Sequence, residues 1–315
     1  MTPITGEGIA TGVKTIEELF GRKRNDTPGE FTQWERDLAY AVQNLLEETV
    51  TDIIEVYSSR LGINNVCLAG GVALNCKMNK RVMEHEMVES VYIQPVANDA
   101  GLPLGAGWID QRPADVQVMD NVYLGPSFKR EKVERILKQK KIPYTEPESI
   151  VTDVAKRLAN GELVGWFQGK LELGPRALGN RSILADPRTI DSRDRVNKYV
   201  KHREEWRPFA PSIIESAAGD YLENAESSSF MIKTFDIKTE TRDEIEAVLH
   251  PADDTTRPQT VREDQNSRYY RLIREFERLT DVPIVLNTSF NDHGEPIVAT
   301  PKEALKDFYG MGLDA

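Results

Sequence analysis

Between residues 30 and 61, apolar side chains recur at helical spacing, at Leu38, Val42, Leu45, Val50, Ile53, Ile54 and Tyr57. Thr32 and Glu35 stand three apart ahead of them, as in a capping box, so the pattern predicts a long amphipathic helix packed on a sheet. The period then changes. Asn65-Val-Cys-Leu-Ala reads as a strand, Gly70-Gly71 breaks it, residues 73–85 read as a helix, and Val91-Tyr-Ile-Gln reads as a second strand leading into Pro95-Val-Ala-Asn-Asp-Ala-Gly101. Strand, glycine turn, helix, strand is the cadence of an α/β domain. The polar, proline-containing run 110–121 interrupts that cadence and divides the chain into expected domains 1–120 and 121–315.

The second half reads as α+β. Helices are expected at 129–139 and 150–160, then a strand at 163–167 followed by a cationic loop. A polar stretch from 238 to 265 reads as an exposed excursion. A helix at 268–279 then feeds the strand Val282-Pro-Ile-Val-Leu, which ends in Asn287-Thr-Ser-Phe-Asn291.

With 315 residues, 39% hydrophobic and 29% charged, the chain can bury two cores. It contains no apolar run of about 18 residues and no basic-plus-apolar leader, so a membrane span or secretion is not expected and a cytoplasmic location is. Cys67 and Cys76 lack the paired spacing of a zinc site. His85, His202, His250 and His293 form no pair one helical turn apart.

Charge singles out one region. From Val164 to Pro211 there are ten Lys/Arg against six Asp/Glu, inside a chain of net charge −11. A basic island in an acidic protein suits a localised anionic ligand; a long nucleic-acid track would call for a broad positive surface. Arg176, Arg181, Arg188, Lys201, Arg203 and Arg207 recur too irregularly for one solvated helix face, and they sit among Gly174-Pro175, Ala177-Leu178-Gly179 and Arg207-Pro-Phe-Ala-Pro211. Guanidinium forks bind phosphate oxygens in pairs. Lys170 and Glu172, two apart on an extended segment, would project to one side and pair with each other or with ligand.

Elsewhere the residues leave two readings open. Gly70 and Gly71 end a strand just before a helix, where a phosphate or ribose can approach the backbone or where a turn simply needs positive φ. Asn75 could bond a ribose hydroxyl or face water. Asp99 could ligate a divalent cation or cap the next helix. Asn287, Thr288, Ser289 and Asn291 offer turn chemistry or neutral donors for a phosphate or an amide.

Taken together, Leu68-Ala-Gly-Gly-Val-Ala-Leu-Asn-Cys76, Pro95-Val-Ala-Asn-Asp-Ala-Gly101, Glu172-Leu-Gly-Pro-Arg-Ala-Leu-Gly-Asn-Arg-Ser182, Arg207-Pro-Phe-Ala-Pro211 and Asn287-Thr-Ser-Phe-Asn291 resemble, in order and spacing, the NodU/CmcH/TobZ family of carbamoyltransferases. The resemblance implies a partial Kae1-like subdomain of the actin/Hsp70 superfamily, followed by a YrdC-like domain with a twisted open α/β sheet. It implies that carbamoyl phosphate and ATP give carbamoyl-adenylate with release of phosphate and pyrophosphate, and that the carbamoyl group then passes to an acceptor hydroxyl. By matching motif it implies Lys170, Arg176, Arg181, Lys201, Arg203 and Arg207 as phosphate and carbamoyl-phosphate contacts, with Ser289 and Asn291 nearby. Gly174, Gly179 and Ser182 belong to the same nucleotide-binding block, and Gly70, Gly71 and Asn75 to an adenylate-binding turn. Arg257 and Gln259 match a further family block, in which Asp254 stands where glycine is customary. Asp99 matches a metal-binding aspartate, preceded by Asn98 where glycine is usual.

The implied co-substrates are ATP and carbamoyl phosphate, with Mg2+ accompanying ATP and Fe2+ at the Kae1-like site. The implied partners are small molecules, together with a separate N-terminal Kae1-like half or a second copy of the chain; neither membrane nor nucleic acid is expected. Residues 1–30 match nothing in the family's first half, so a fragment, a split subunit or a decayed copy is expected. Two rivals stand beside this reading. A non-catalytic nucleotide- or RNA-binding module on the same fold is disfavoured by the charge of −11, and threonylcarbamoyl-adenylate synthesis by the Gly-Pro-Arg-Ala-Leu-Gly block.

Overall fold

The computed structural model describes residues 6–25, 27, 30–112, 114–115, 118–202 and 207–315, with side chains from residue 12 onward. The chain divides into two units, residues 1–53 and 54–315. In the first, α1 (Gly6–Phe20) is followed by α2 (Gln33–Leu61), whose C-terminal end runs into the second unit. The expected capping box forms: Thr32 N–H donates to Glu35 Oε2 at 2.7 Å, and Glu35 N–H donates to Thr32 Oγ1 at 3.4 Å. The Phe20 and Trp34 rings meet edge to face at 6.0 Å.

The second unit begins with the predicted strand–helix–strand: β1 (Asn65–Leu68), α3 (Cys76–Met83) and β2 (Ser90–Ile93), then α4 (Leu102–Asp110). β1 and β2 pair in parallel, Asn65 opposite Ser90 through Leu68 opposite Ile93. A parallel pair needs a crossover, and α3 supplies it. Fully buried Asn79 ties that helix to a distant segment, donating to Ala73 O and Ile232 O at 2.8 Å each.

The remaining elements are α5 (Arg130–Lys140), α6 (Ile150–Ala159), β3 (Val164–Phe167), β4 (Arg181–Ala185), α7 (Ile190–Arg195), β5 (Ala210–Ile214), α8 (Ala218–Tyr221), β6 (Gln259–Val261), α9 (Ser267–Thr280), β7 (Ile284–Ser289) and α10 (Pro301–Gly310). The five strands form one mixed sheet in the order β3-β4-β7-β5-β6, antiparallel except where β5 meets β6. On α9, Tyr269, Leu272, Ile273 and Phe276 fall on one face and are buried, packing the helix on α6, β5 and β7. At roughly 2 kcal/mol for each such side chain, this face anchors the helix to the sheet. The architecture is the mixed α/β arrangement expected from the sequence. Among the described residues no helix is long and apolar enough to cross a membrane.

Two segments differ from their sequence reading. The cationic stretch 167–188 reads as a loop, yet β4 is drawn from it. All five β4 residues are buried, so the alternation that betrays a half-exposed strand is missing. The stretch 238–265 reads as exposed, yet Ile245, Ala247, Val248 and Leu249 enter the core and β6 adds to the sheet edge. Its polar residues turn inward because they have partners there: Thr256 Oγ1 donates to Val248 O at 2.8 Å, and Gln259 Oε1 accepts from Ser212 Oγ at 2.8 Å.

Candidate functional site

The loop between β3 and β4 is held open in one shape by a buried carboxylate. Glu172 Oε1 accepts the N–H groups of Leu178, Asn180 and Arg181 at 2.8, 2.7 and 3.2 Å. Those bonds favour the charged form, but burial is the larger effect and pushes the carboxyl above its ordinary range. So Glu172 Oε1 is committed to its own loop, while Oε2 is buried without a partner. Gly174 and Gly179 take φ values of 106° and 95°, and a Cβ on Gly179 would lie 2.2 Å from Tyr269 Cδ1. Both glycines therefore shape the loop. At its tip stands Arg176.

Arg176 meets Arg207, just ahead of β5, and Arg257, just ahead of β6, around a cavity of about 490 Å³ that Asn75, Lys77 and His250 also line. Among the described residues no Asp or Glu lines it. Burial, reinforced by the charge of Arg257, pushes the Arg176 pKa down to about 10. The Nε atoms of Arg176 and Arg257 are buried with no hydrogen-bond partner. Two guanidiniums drawn from water beside each other are unfavourable until an anion joins them.

The cavity's other polar groups are fixed locally. Asn75 caps α3, its Oδ1 accepting Met78 N–H at 3.0 Å. Lys77 forms an ion pair with Asp253. Burial lowers the His250 pKa against the opposing pull of Asp253, so the ring is held toward its neutral form. Asp254 adopts φ of 53°, so the backbone there takes the left-handed turn that glycine favours.

Other expected site residues lie elsewhere. Arg181 is wholly buried: its guanidinium donates to Gln168 O at 2.5 Å, Asn180 O at 2.9 Å and Pro126 O at 3.2 Å, and sits 3.7 Å from the Phe167 ring centre. Backbone carbonyls and an aromatic face take the place an anion would have. Ser182 is also fully buried, accepting Gly179 N–H at 3.0 Å. Arg188 forks onto Asp186. Lys170 is exposed, and its carbonyl accepts from Asn180 Nδ2. Lys201 forms a separate cluster, donating to Ser289 O at 2.6 Å and Asn291 Oδ1 at 2.9 Å. Arg203 lies outside the described residues.

Gly70 and Gly71 are exposed at the end of β1, where Gly70 N–H donates to Ala97 O at 2.8 Å; neither lines the cavity. Asp99 is exposed, and among the described residues no group of three or more His, Cys, Asp or Glu side chains is placed to hold a metal. One carboxylate falls well short of a coordination sphere of about six oxygens. The residues described here do not fit a resident metal, and no step is assigned to one. Sequence reasoning passed over Lys77 and His250 as site residues. Lys77 was within reach, two residues past Asn75 in the same block, whereas nothing in the spacing of the histidines marks His250.

Comparison with known proteins identifies the family. Residues 155–315 match the family profile described as Carbamoyltransferase C-terminus, and residues 6–108 match Carbamoyltransferase N-terminus. Protein sll1178 of Synechocystis sp. is 38% identical over 98% of the chain and 55% of its own length. Nodulation protein NolO of Bradyrhizobium diazoefficiens is 37% identical over 90% of the chain and 54% of its own length. Nodulation protein U of Sinorhizobium fredii is 35% identical over 74% and 40%. The chain thus spans about half the length of the curated relatives it matches. A solved structure of full-length HypF, in phosphate- and nucleotide-bound form, covers 54% of the chain and 21% of its own at 16% identity and a TM-score of 0.37, too distant to carry fold or ligand across.

Proposed function

The chain belongs to the carbamoyltransferase family, and from that premise we propose that it forms carbamoyl-adenylate from ATP and carbamoyl phosphate, for transfer of the carbamoyl group to an acceptor hydroxyl. Water cleaves carbamoyl phosphate to carbamate and phosphate. A carbamate oxygen then attacks the α-phosphorus of ATP, the bond from that phosphorus to the bridging oxygen breaks, and pyrophosphate leaves. In the second half-reaction the acceptor oxygen attacks the carbamoyl carbon, AMP departs, and the hydroxyl proton is lost. Linking carbamate to AMP supplies a leaving group that carbamate itself lacks.

The observation that supports this reading is the convergence of Arg176, Arg207 and Arg257, from three separate stretches, on one cavity with no described carboxylate in its lining. Three fixed cations offset the charge of a polyphosphate and the charge that builds on pyrophosphate as it leaves. Mg2+ enters as part of the nucleotide substrate. Lys201, with Ser289 and Asn291, is kept as a second anion contact: an ammonium already gathering oxygen acceptors can exchange one for a phosphate oxygen. The division between domains at residue 120 is kept in the same way, with Asn75 and Lys77 reaching the cavity from the sequence before it and the arginines from the sequence after it.

The test is to incubate the chain with ATP and carbamoyl phosphate and follow pyrophosphate release, with bicarbonate plus threonine as a parallel set. Release with carbamoyl phosphate, lost in Arg176→Gln, is the expected result. Turnover only with the threonine set would reassign the chain to threonylcarbamoyl-adenylate synthesis. No turnover with either, accompanied by tight RNA binding, would favour a binding module.

A further inference from the structure

Arg176 and Arg257 stand on separate pieces of chain yet line one cavity, where their like charges repel. We propose that Gln259 is a positioning residue that fixes their spacing from beneath, without touching ligand. It rests on the reading of the cavity as a phosphate site.

Gln259 lies on β6, two residues beyond Arg257, and is 3% exposed. Its Nε2 donates to Leu178 O at 3.0 Å, two residues beyond Arg176. This one side chain therefore bridges the strand that Arg257 leads into and the loop that carries Arg176. The amide's orientation is set by its far end: Oε1 accepts from Ser212 Oγ at 2.8 Å and lies 3.3 Å from Asn287 Nδ2. Ser212 Oγ in turn accepts from Asn287 Nδ2 at 2.9 Å, and the same Nδ2 reaches Ala177 O at 3.3 Å. Asn287 Nδ2 shares its two protons among three acceptors, while Asn287 Oδ1 is buried without a partner. Three buried polar side chains, on β5, β6 and β7, thus hold two consecutive carbonyls of the loop, while Glu172 holds its N–H groups. The loop is gripped through both polarities of its backbone before any ligand arrives, which is preorganisation of the first contact by a supporting layer.

The experiment is calorimetric titration of the chain with pyrophosphate, alongside thermal unfolding, for wild type, Arg176→Gln, Arg257→Gln, Gln259→Met, Ser212→Ala and the Arg176→Gln/Gln259→Met pair. Arg176→Gln and Arg257→Gln are each expected to weaken pyrophosphate binding at least about tenfold. Gln259→Met is expected to weaken it about tenfold, the equivalent of one buried hydrogen bond, and to cost no further affinity once Arg176 is gone. Ser212→Ala keeps Gln259 but frees its Oε1, and is expected to weaken binding about threefold; it decides the matter if Gln259→Met does not fold. A lowered unfolding temperature with unchanged pyrophosphate affinity, or a Gln259→Met effect that persists in the Arg176→Gln background, overturns the positioning role. If the arginine variants themselves bind pyrophosphate like wild type, the phosphate reading fails and the positioning role falls with it.

Discussion

Lys201 Nζ donates to Asn291 Oδ1 at 2.9 Å, joining the end of a wide helical turn, Val196–Lys201, to the residue two past β7. The same ammonium lies 2.6 Å from Ser289 O, 3.3 Å from Ser289 Oγ and 2.9 Å from Asn291 O, so its three protons are shared among four acceptors. Lys201→Met removes this donor from four half-buried oxygens, of which Ser289 O keeps the Asn291 N–H and Asn291 Oδ1 keeps the Ser289 hydroxyl. It is expected to cost about 2–4 kcal/mol in urea unfolding, in addition to any loss of pyrophosphate release. A methionine variant as stable as wild type would show that the cluster is held by something else.

Gly179 and Gly161 both have positive φ, 95° and 81°, but only the first meets atoms where a Cβ would go. Gly161→Ala is expected to cost about 1 kcal/mol, the conformational penalty alone. Gly179→Ala drives a methyl into the Tyr269 ring, itself fully buried, and is expected to cost at least about 3 kcal/mol or prevent folding. Comparison of their melting temperatures separates backbone strain from steric overlap.

The buried Glu172 predicts a pH dependence of defined sign. Its carboxyl is raised by burial above the ordinary value of 4.5. Between the ordinary and raised values the folded chain holds a proton that the unfolded chain has released, so this group adds stability as pH falls through the raised value and the gain is complete below the ordinary one. Glu172→Gln keeps an acceptor for the loop N–H groups but cannot titrate. From about pH 8 to about pH 5 the unfolding free energy of wild type should rise relative to the glutamine variant. Parallel profiles would place the Glu172 pKa at its ordinary value.

At Asp254, φ of 53° and a 3.0 Å ion pair with Arg242 act in opposite directions. Removing strain favours glycine by about 1 kcal/mol, while an exposed pair contributes about 0–1 kcal/mol. Asp254→Gly is therefore expected to leave stability within about 1 kcal/mol of wild type, whereas Asp254→Val, with its branched Cβ in a left-handed turn, should destabilise clearly more.

Periodic segments were legible from sequence because one face of each meets the core: α5, α6 and α9 lie within a residue or two of their expected bounds. Arg176 and Arg207 stood out because cations beside glycine and proline have little purpose as surface charge, whereas Arg257 stood out only through the family resemblance. Arg181 shows where that logic stops. Its residue type and motif are the same, but it opens a central strand, and nearby carbonyls already accept from both of its Nη atoms, leaving only the buried Nε without a partner. Which cation faces a cavity depends on which finds protein acceptors first, and those acceptors come from distant segments. β6 escaped notice for a related reason: three residues, each buried, with the polar ones bonded inward, carry no alternation.

In the sheet, β7 sits between β4 and β5 although it follows both along the chain. Without residues 284–289 the sheet would be two separate pieces, the antiparallel pair β3–β4 and the parallel pair β5–β6, with bare facing edges. The loop bearing Arg176 hangs from the first half and Arg257 leads into the second. The middle strand thus completes the hydrogen-bond ladder and ties the piece of sheet that holds the Arg176 loop to the piece that Arg257 leads into.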